Sequence, residues 1–269
     1  RLVYILRCCS AMAAQLSFYL EKNGYQLTVV GLPKTVDNDV FPVSQTLGAW
    51  TAAEQGAIFF ENIVNENTTS TRQLIIHEVM GRHCGWLTAK TAKDYRERLK
   101  NKVFLPELMV ERSKWDIDAI YIPEQDFNFQ NEVDRLRSLM DEKDNINIFL
   151  SEGAGQDAIV REMEESGKKV PRDAFGHVRL DEINPGQWFA KQFSSALKAE
   201  KTLVQKSGYF ARSAKANAQD LELIMRSAFF AAEQGLNGKS GLAGLDEDQN
   251  NQLRLIAVSY THLPSPRDT

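Results

Sequence analysis

Along this chain, short apolar runs alternate with longer stretches in which apolar residues recur every three or four positions. That alternation predicts strands separated by amphipathic helices, hence a mostly parallel sheet covered on both faces, and the expected fold class is α/β. Leu27 to Leu32 reads as a strand. From Ser44 to about Asn65, the residues Leu47, Trp50, Ala53, Ala57, Phe60 and Val64 mark one face of a helix. Gln73 to Val79 is the next strand, centred on Leu74-Ile75-Ile76, and a helix follows from about Cys84 to Leu99. Asp118 to Ile122 is a short strand closed by Pro123, with a polar helix near Asn131 to Glu142. Ile146 to Leu150 reads as a buried strand, and a helix follows Gly155. Gln187 to Lys201 is a further helix and Thr202 to Gln205 a strand. The closing helix runs from about Ala218 to a stop at Gly235. Lys168 to Gly186, rich in Gly, Pro and charge, is the expected flexible connection.

Composition narrows the class without naming a function. The 269 residues are 43% apolar and 25% charged, ordinary for a globular protein and enough for a sizeable core. A net charge of −4, with basic residues interspersed among acids, gives no general attraction for nucleic acid or anionic lipid. The apolar runs fall short of the roughly 18 residues that a membrane span needs. Three cysteines, two of them the adjacent Cys8-Cys9, imply neither a disulfide framework nor a metal cluster, and a reducing cytoplasm is the expected location.

The chemistry concentrates in Gly31-Leu32-Pro33-Lys34-Thr35-Val36-Asp37-Asn38-Asp39. Here a Gly/Pro turn at the carboxyl end of a strand carries a cation, a hydroxyl and two carboxylates, in the place where open α/β sheets put their ligands. As extended residues two apart, Asp37 and Asp39 are expected to point the same way. One acid can take a hydroxyl proton while the lysine holds phosphate oxygens, which suits phosphoryl transfer to an alcohol. A solvated Asp/Asn turn is the plain alternative.

The segment Lys34-Thr35-Val36-Asp37-Asn38-Asp39 resembles the Lys-Thr-Ile-Asp-Asn-Asp signature of phosphofructokinases. Met80-Gly81-Arg82-His83-Cys84-Gly85-Trp86, Ser151-Glu152-Gly153 and Gly208-Tyr209-Phe210-Ala211-Arg212-Ser213 resemble further elements of that family, in its order. The resemblance runs from about Ser10 to about Ala257 and is nearest to the pyrophosphate-dependent bacterial members. It implies two similar three-layer domains, and transfer of a phosphoryl group from pyrophosphate to the 1-hydroxyl of fructose 6-phosphate, with magnesium. Asp37 is then the base, with Lys34 and Arg82 the other catalytic groups. Thr35, Asp39, Met80, Gly81, Glu152, Lys206, Tyr209 and Arg212 are substrate contacts. Lys34 stands where bacterial ATP-using members usually carry glycine. Arg72 is considered for a neighbouring subunit's site, and the family implies a homo-oligomer, a dimer or larger. Trp50 and Trp86 read as core or interface, and His77 and His83 as structural.

By the same resemblance, residues 10–48 with 212–258 are the remnant of a phosphoryl-donor domain, and residues 49–211 a sugar-phosphate domain. Residues 1–9 and 259–269 are expected to be foreign tails on a truncated, inactive fragment. The family's Gly-Gly-Asp metal loop, expected just before a helix starting near Ala11, is replaced by Leu6-Arg7-Cys8-Cys9-Ser10, so no metal ligand is assigned and no strand is expected ahead of it. An ATP-dependent member of the family and a non-catalytic sugar-phosphate-binding regulatory subunit are the competing expectations.

Overall fold

A computed structural model describes residues 2–7, 19–25, 27–108, 110–172 and 178–256. The chain divides into two compact units, one from Arg1–Thr51 with Lys215–Thr269, the other from Ala52–Ala214. The tail 259–269, Cys8-Cys9, Ser10 and the start of the helix expected from Ala11 lie outside the described residues.

The first unit contains a four-stranded sheet in the order β1 (Leu2–Arg7), β2 (Leu27–Leu32), β7 (Gly241–Asp246), β8 (Gln252–Ile256). β1 and β2 are parallel in the register Leu2 to Leu27 through Arg7 to Leu32. This corrects the expectation that no strand precedes the donor loop, since residues 2–7 pair along their whole length. β7 joins β2 in parallel and turns back antiparallel into β8. The sequence pattern missed this pair because Gly241 and Gly244 dilute the apolar alternation of a strand. Helix α8 (Ala218–Leu236) covers the sheet, burying Ala231 with Val30 and Ala243.

The second unit is an all-parallel sheet in the order β4 (Ala119–Tyr121), β5 (Asn145–Ser151), β3 (Gln73–Val79), β6 (Lys201–Lys206). Every residue of β3 and β5 is buried, as expected for parallel strands covered on both faces. Their side chains alternate between layers. Leu74, Ile76, Ile146, Ile148 and Leu150 pack with Val133, Leu136 and Met140 of α3 (Phe129–Lys143) and with Phe189 and Phe193 of α6 (Pro185–Leu197). Ile75 and Phe149 face the other way, onto Ala57, Phe60 and Val64 and onto Ala92, Tyr95 and Leu99 of α2 (Trp86–Lys100). Each such fully buried apolar side chain contributes about 1.5–3 kcal/mol. The architecture is α/β.

Most predicted elements sit within a few residues of their expected ends. The helix expected from Ser44 begins at Ala49, as α1 (Ala49–Ile63). The residues before it are held in non-helical bonds, Ser44 N–H to Leu245 O at 3.0 Å and Leu47 N–H to Pro33 O at 2.8 Å. Its predicted apolar face is buried at Leu47, Ala53, Ala57, Phe60 and Val64, while Trp50 and Trp86 are half-buried. The loop expected to be flexible is corrected in part. Leu180–Ile183 forms a helical turn, α5, whose Leu180 and Ile183 are buried with Val178 and with Ile159 of α4 (Gln156–Glu165). Apolar burial anchors a stretch that composition alone read as a linker.

Candidate substrate cleft and signature loop

Parallel pairing decides which motifs meet in the second unit. β5 lies beside β3 in the register Gln73 to Asn145 through Val79 to Ser151, and β6 lies on the other side of β3. All three strands therefore end together, and ligand sites in open α/β sheets form at such carboxyl ends. β3 runs out into Met80-Gly81-Arg82, β5 into Glu152-Gly153, and β6 ends at Lys206, just before α7 (Gly208–Ser213) with Tyr209 and Arg212. Met80, Glu152, Lys206, Tyr209 and Arg212 line one cleft of about 310 Å³, together with Glu78 and the anchored Leu180-Asp181.

Close backbone contact holds the two loop ends. Glu152 N–H donates to Val79 O at 2.9 Å and Gly153 N–H to Gly81 O at 3.2 Å, while the Ser151 hydroxyl donates to the same Gly81 oxygen at 2.6 Å. Gly81 has φ +131, a conformation closed to ordinary L residues, and a Cβ on Gly153 would collide with the Arg82 carbonyl. The two glycines thus let the arginine-bearing loop lie directly on the glutamate-bearing loop.

Glu152 is the electrostatic centre of the cleft. Burial raises its carboxyl above the ordinary value and the nearby Glu78 adds to this, against the Gly81 N–H, Arg82 and Arg212, which pull it down. Its Oε1 lies 3.4 Å from the Gly81 nitrogen, a long contact that leaves acceptor capacity for a ligand's hydroxyls. Tyr209 is 87% exposed and Arg212 is exposed at the cleft wall. Lys206 has acceptors within the protein, Glu78 Oε1 and Asn184 Oδ1, each at 2.9 Å. Sequence reasoning missed Glu78, whose position near the end of β3, two residues ahead of Met80, was the available signal.

His77, expected to be structural, and Arg72, considered for a neighbouring subunit's site, both make contacts within the chain. His77 is fully buried, bonded through Nε2 to the Ser207 hydroxyl at 2.8 Å and stacked on Phe60, and burial lowers it to about 3. The Arg72 guanidinium is engaged by Asp141 and by the carbonyls of Lys198 and Leu197, at 2.6–2.9 Å.

In the first unit, Lys34, Thr35, Asp37 and Asp39 share the loop after β2. Asn38 organises it. This residue is left-handed (φ +56), its Oδ1 accepts from the Thr46 N–H at 2.7 Å, and its Nδ2 donates to Ser44 O at 3.1 Å. The Thr46 hydroxyl donates to Thr35 O at 2.8 Å, and Thr35 Oγ1 accepts from the Asp37 N–H at 3.1 Å. A left-handed Asn38 removes the extended geometry from which Asp37 and Asp39 were expected to point alike, and they differ in burial, Asp37 half-buried and Asp39 exposed. Lys34 is half-buried and makes no hydrogen bond or ion pair among the described residues.

The end of this loop is fixed by a residue nothing in the local pattern marks. Asp220, fully buried in the first turn of α8, accepts from the N–H groups of Gly48 (2.9 Å) and Thr51 (2.7 Å) and from the Thr51 hydroxyl (2.5 Å), capping α1 from another helix. The same Thr51 oxygen accepts from the Asn217 N–H at 3.0 Å. Charge-assisted bonds of this kind are the strong ones.

Among the described residues, no group of three or more acidic, histidine or cysteine side chains forms a metal shell, and no helix is long and apolar enough to cross a membrane.

Comparison with known proteins adds an independent line. The family model described as Phosphofructokinase matches residues 9–234. Over 244 residues the chain is 55% identical to the pyrophosphate–fructose 6-phosphate 1-phosphotransferase of Methylomonas methanica, covering 91% of this chain and 60% of that protein. It is 26% identical to the ATP-dependent 6-phosphofructokinase 7 of Arabidopsis thaliana, across 93% of this chain and 52% of that protein. The solved pyrophosphate-dependent phosphofructokinase of Marinobacter aquaeolei shares the fold at a TM-score of 0.61 with 22% identity, covering 94% of this chain and 56% of that one. The chain thus spans about 60% of the length of the pyrophosphate-named curated relatives it matches.

Proposed function

The chain belongs to the phosphofructokinase family, and we propose that the protein containing it transfers a phosphoryl group from pyrophosphate to the 1-hydroxyl of fructose 6-phosphate. The observation that carries this reading is the cleft at the carboxyl ends of β5, β3 and β6. One opening there offers a carboxylate for sugar hydroxyls (Glu152), cations for a phosphate (Arg212, Lys206) and an aromatic wall (Tyr209). Support for pyrophosphate as the donor comes from the identity of 55% to a pyrophosphate-named relative against 26% to an ATP-named one.

In this mechanism Asp37 accepts the proton of the 1-hydroxyl while that oxygen bonds to a phosphorus of pyrophosphate and the bridging P–O bond breaks, releasing phosphate. Taking up that proton as the oxygen attacks is general-base work that a positioned carboxylate can perform. Lys34 and Arg82 offset charge on the phosphoryl oxygens, so catalysis rests on positioning and charge neutralisation. Asp39 contacts the donor phosphates, and Thr35 the sugar or the donor. Met80 and Gly81 shape the loop against the sugar phosphate. Magnesium, when bound, would supply charge neutralisation for the donor phosphates, and no described residue is assigned to hold it. The protein is proposed to act as a homo-oligomer in the cytoplasm.

The natural protein, assayed with fructose 6-phosphate and with pyrophosphate or ATP, tests this. Turnover with pyrophosphate that falls by about 10²–10⁴-fold in Asp37→Ala is the expected result. Turnover with ATP alone would replace the donor. A folded protein that binds the sugar phosphate without turning it over would be a regulatory subunit.

A further inference from the structure

The cleft contains a carboxylate that the mechanism above leaves unused. Glu78 is only 6% exposed and still contributes to the cleft wall. A carboxylate so placed is costly unless its oxygens are answered, and both are. Oε1 pairs with Lys206 Nζ at 2.9 Å, and Oε2 accepts from the Gly186 N–H at 2.9 Å, at the start of α6. Lys206 Nζ also donates to Oδ1 of Asn184, the left-handed residue just ahead of α6. An ammonium has three N–H donors. Two are committed to the protein, and the side chain keeps 44% of its surface exposed.

An unrestrained lysine is a point charge on a long stem that loses rotamer freedom when it grips a ligand. Here that ordering is complete before any ligand arrives, which is how preorganisation raises affinity. We propose that Glu78 is a positioning residue for the phosphate of the substrate. With Asn184 it fixes the Lys206 ammonium so that one N–H remains for an anion in the cleft. The inference rests on the reading of this cleft as the fructose 6-phosphate site. It also opposes the simplest electrostatic view, in which a buried acid beside a phosphate site repels the ligand and its neutralisation tightens binding.

The test is calorimetric binding of fructose 6-phosphate to this chain and to Glu78→Gln, Asn184→Ala, Lys206→Met and the Glu78→Gln/Lys206→Met pair. Glutamine keeps an oxygen for Gly186 but turns an amide donor towards the ammonium. The expected result is binding weakened about tenfold in Glu78→Gln and about threefold in Asn184→Ala. In the Lys206→Met background, Glu78→Gln should add no more than about twofold, since nothing remains to be positioned. Unchanged or tighter binding by Glu78→Gln would overturn the inference, as would the same loss with and without Lys206. Should Glu78→Gln fail to fold, Asn184→Ala leaves the carboxylate in place and decides the matter by whether its loss vanishes when combined with Lys206→Met. A wild-type chain that binds no fructose 6-phosphate would overturn the substrate reading and this inference with it. Binding that is present but indifferent to Glu78 and Asn184 overturns the inference alone.

Discussion

In the first unit, the loop from Pro33 to Leu47 is bonded within itself by Asn38, Thr35, Ser44 and Thr46, and is held against β7 by Ser44 N–H to Leu245 O. In the second unit, the cleft is assembled from segments some 50–70 residues apart, brought side by side by β5, β3 and β6 and spaced by two glycines. The loop is a contiguous motif that carries its own geometry. The cleft exists only once the sheet has formed. Damage to the loop should therefore stay local unless it reaches one of the loop's outside anchors, at β7 or at Asp220, whereas damage at a strand end should disturb binding and stability together.

The outside anchor at Asp220 gives the largest expected effect. Asp220→Ala removes the acceptor of three donors at the start of α1 and leaves the two of Thr51 buried, and should destabilise the first unit by about 3–5 kcal/mol. Denaturant unfolding followed separately in the two units by hydrogen exchange would check it. Equal loss of protection in both units would break the distinction drawn here.

Gly153→Ala comes next. The added methyl meets a backbone carbonyl, which cannot swing aside as a side chain can, so about 2–3 kcal/mol of stability should be lost. The loss should come with weaker fructose 6-phosphate binding, because Arg82 is the residue displaced. Asn38→Ala should cost about 1–3 kcal/mol, from the lost side-chain bonds and the left-handed backbone, with faster amide exchange confined to residues 34–48. Exchange that also rose at the ends of β3 and β5 would show that the loop is less self-contained than its bonding suggests.

The smallest effect carries the most telling sign. Because burial raises the Glu152 carboxyl in the folded state, the folded protein binds that proton more tightly than the unfolded chain does. Stability from this group is present at low pH and is lost as pH rises from the ordinary carboxyl range through the raised value. Glu152→Gln should therefore bind sugar phosphate more weakly yet melt about 2–4 °C higher at neutral pH, for a relief of about 1 kcal/mol. The gain should shrink as the pH approaches 4. A lower melting temperature at pH 7 would mean that Arg82 and Arg212 outweigh burial.

How much of this was legible in advance follows the same division. The apolar periods gave the order of strands and helices, and the face of α1 from Leu47 to Val64, because burial of a helix stripe or a strand is written in spacing. The contiguous loop motif was visible at once, although the left-handed backbone of Asn38, between Asp37 and Asp39, was not. β7 and β8 escaped notice because their pairing, and not their composition, makes them strands. The stretch around Leu180 read as a linker because its partners, Ile159 and Val178, lie outside any local window.

What the sequence by itself determined is the α/β class, the positions of the motif residues and the membership in a family of phosphoryl-transfer proteins. Only the tertiary structure decided that β3 lies between β5 and β6, which makes Glu152, Met80 and Lys206 neighbours. It alone decided that Glu78 holds Lys206 and that Asp220 caps α1. The physical reason is range. Periodicity records what each segment buries, whereas a hydrogen bond between residues 128 or 172 positions apart leaves no trace in either segment.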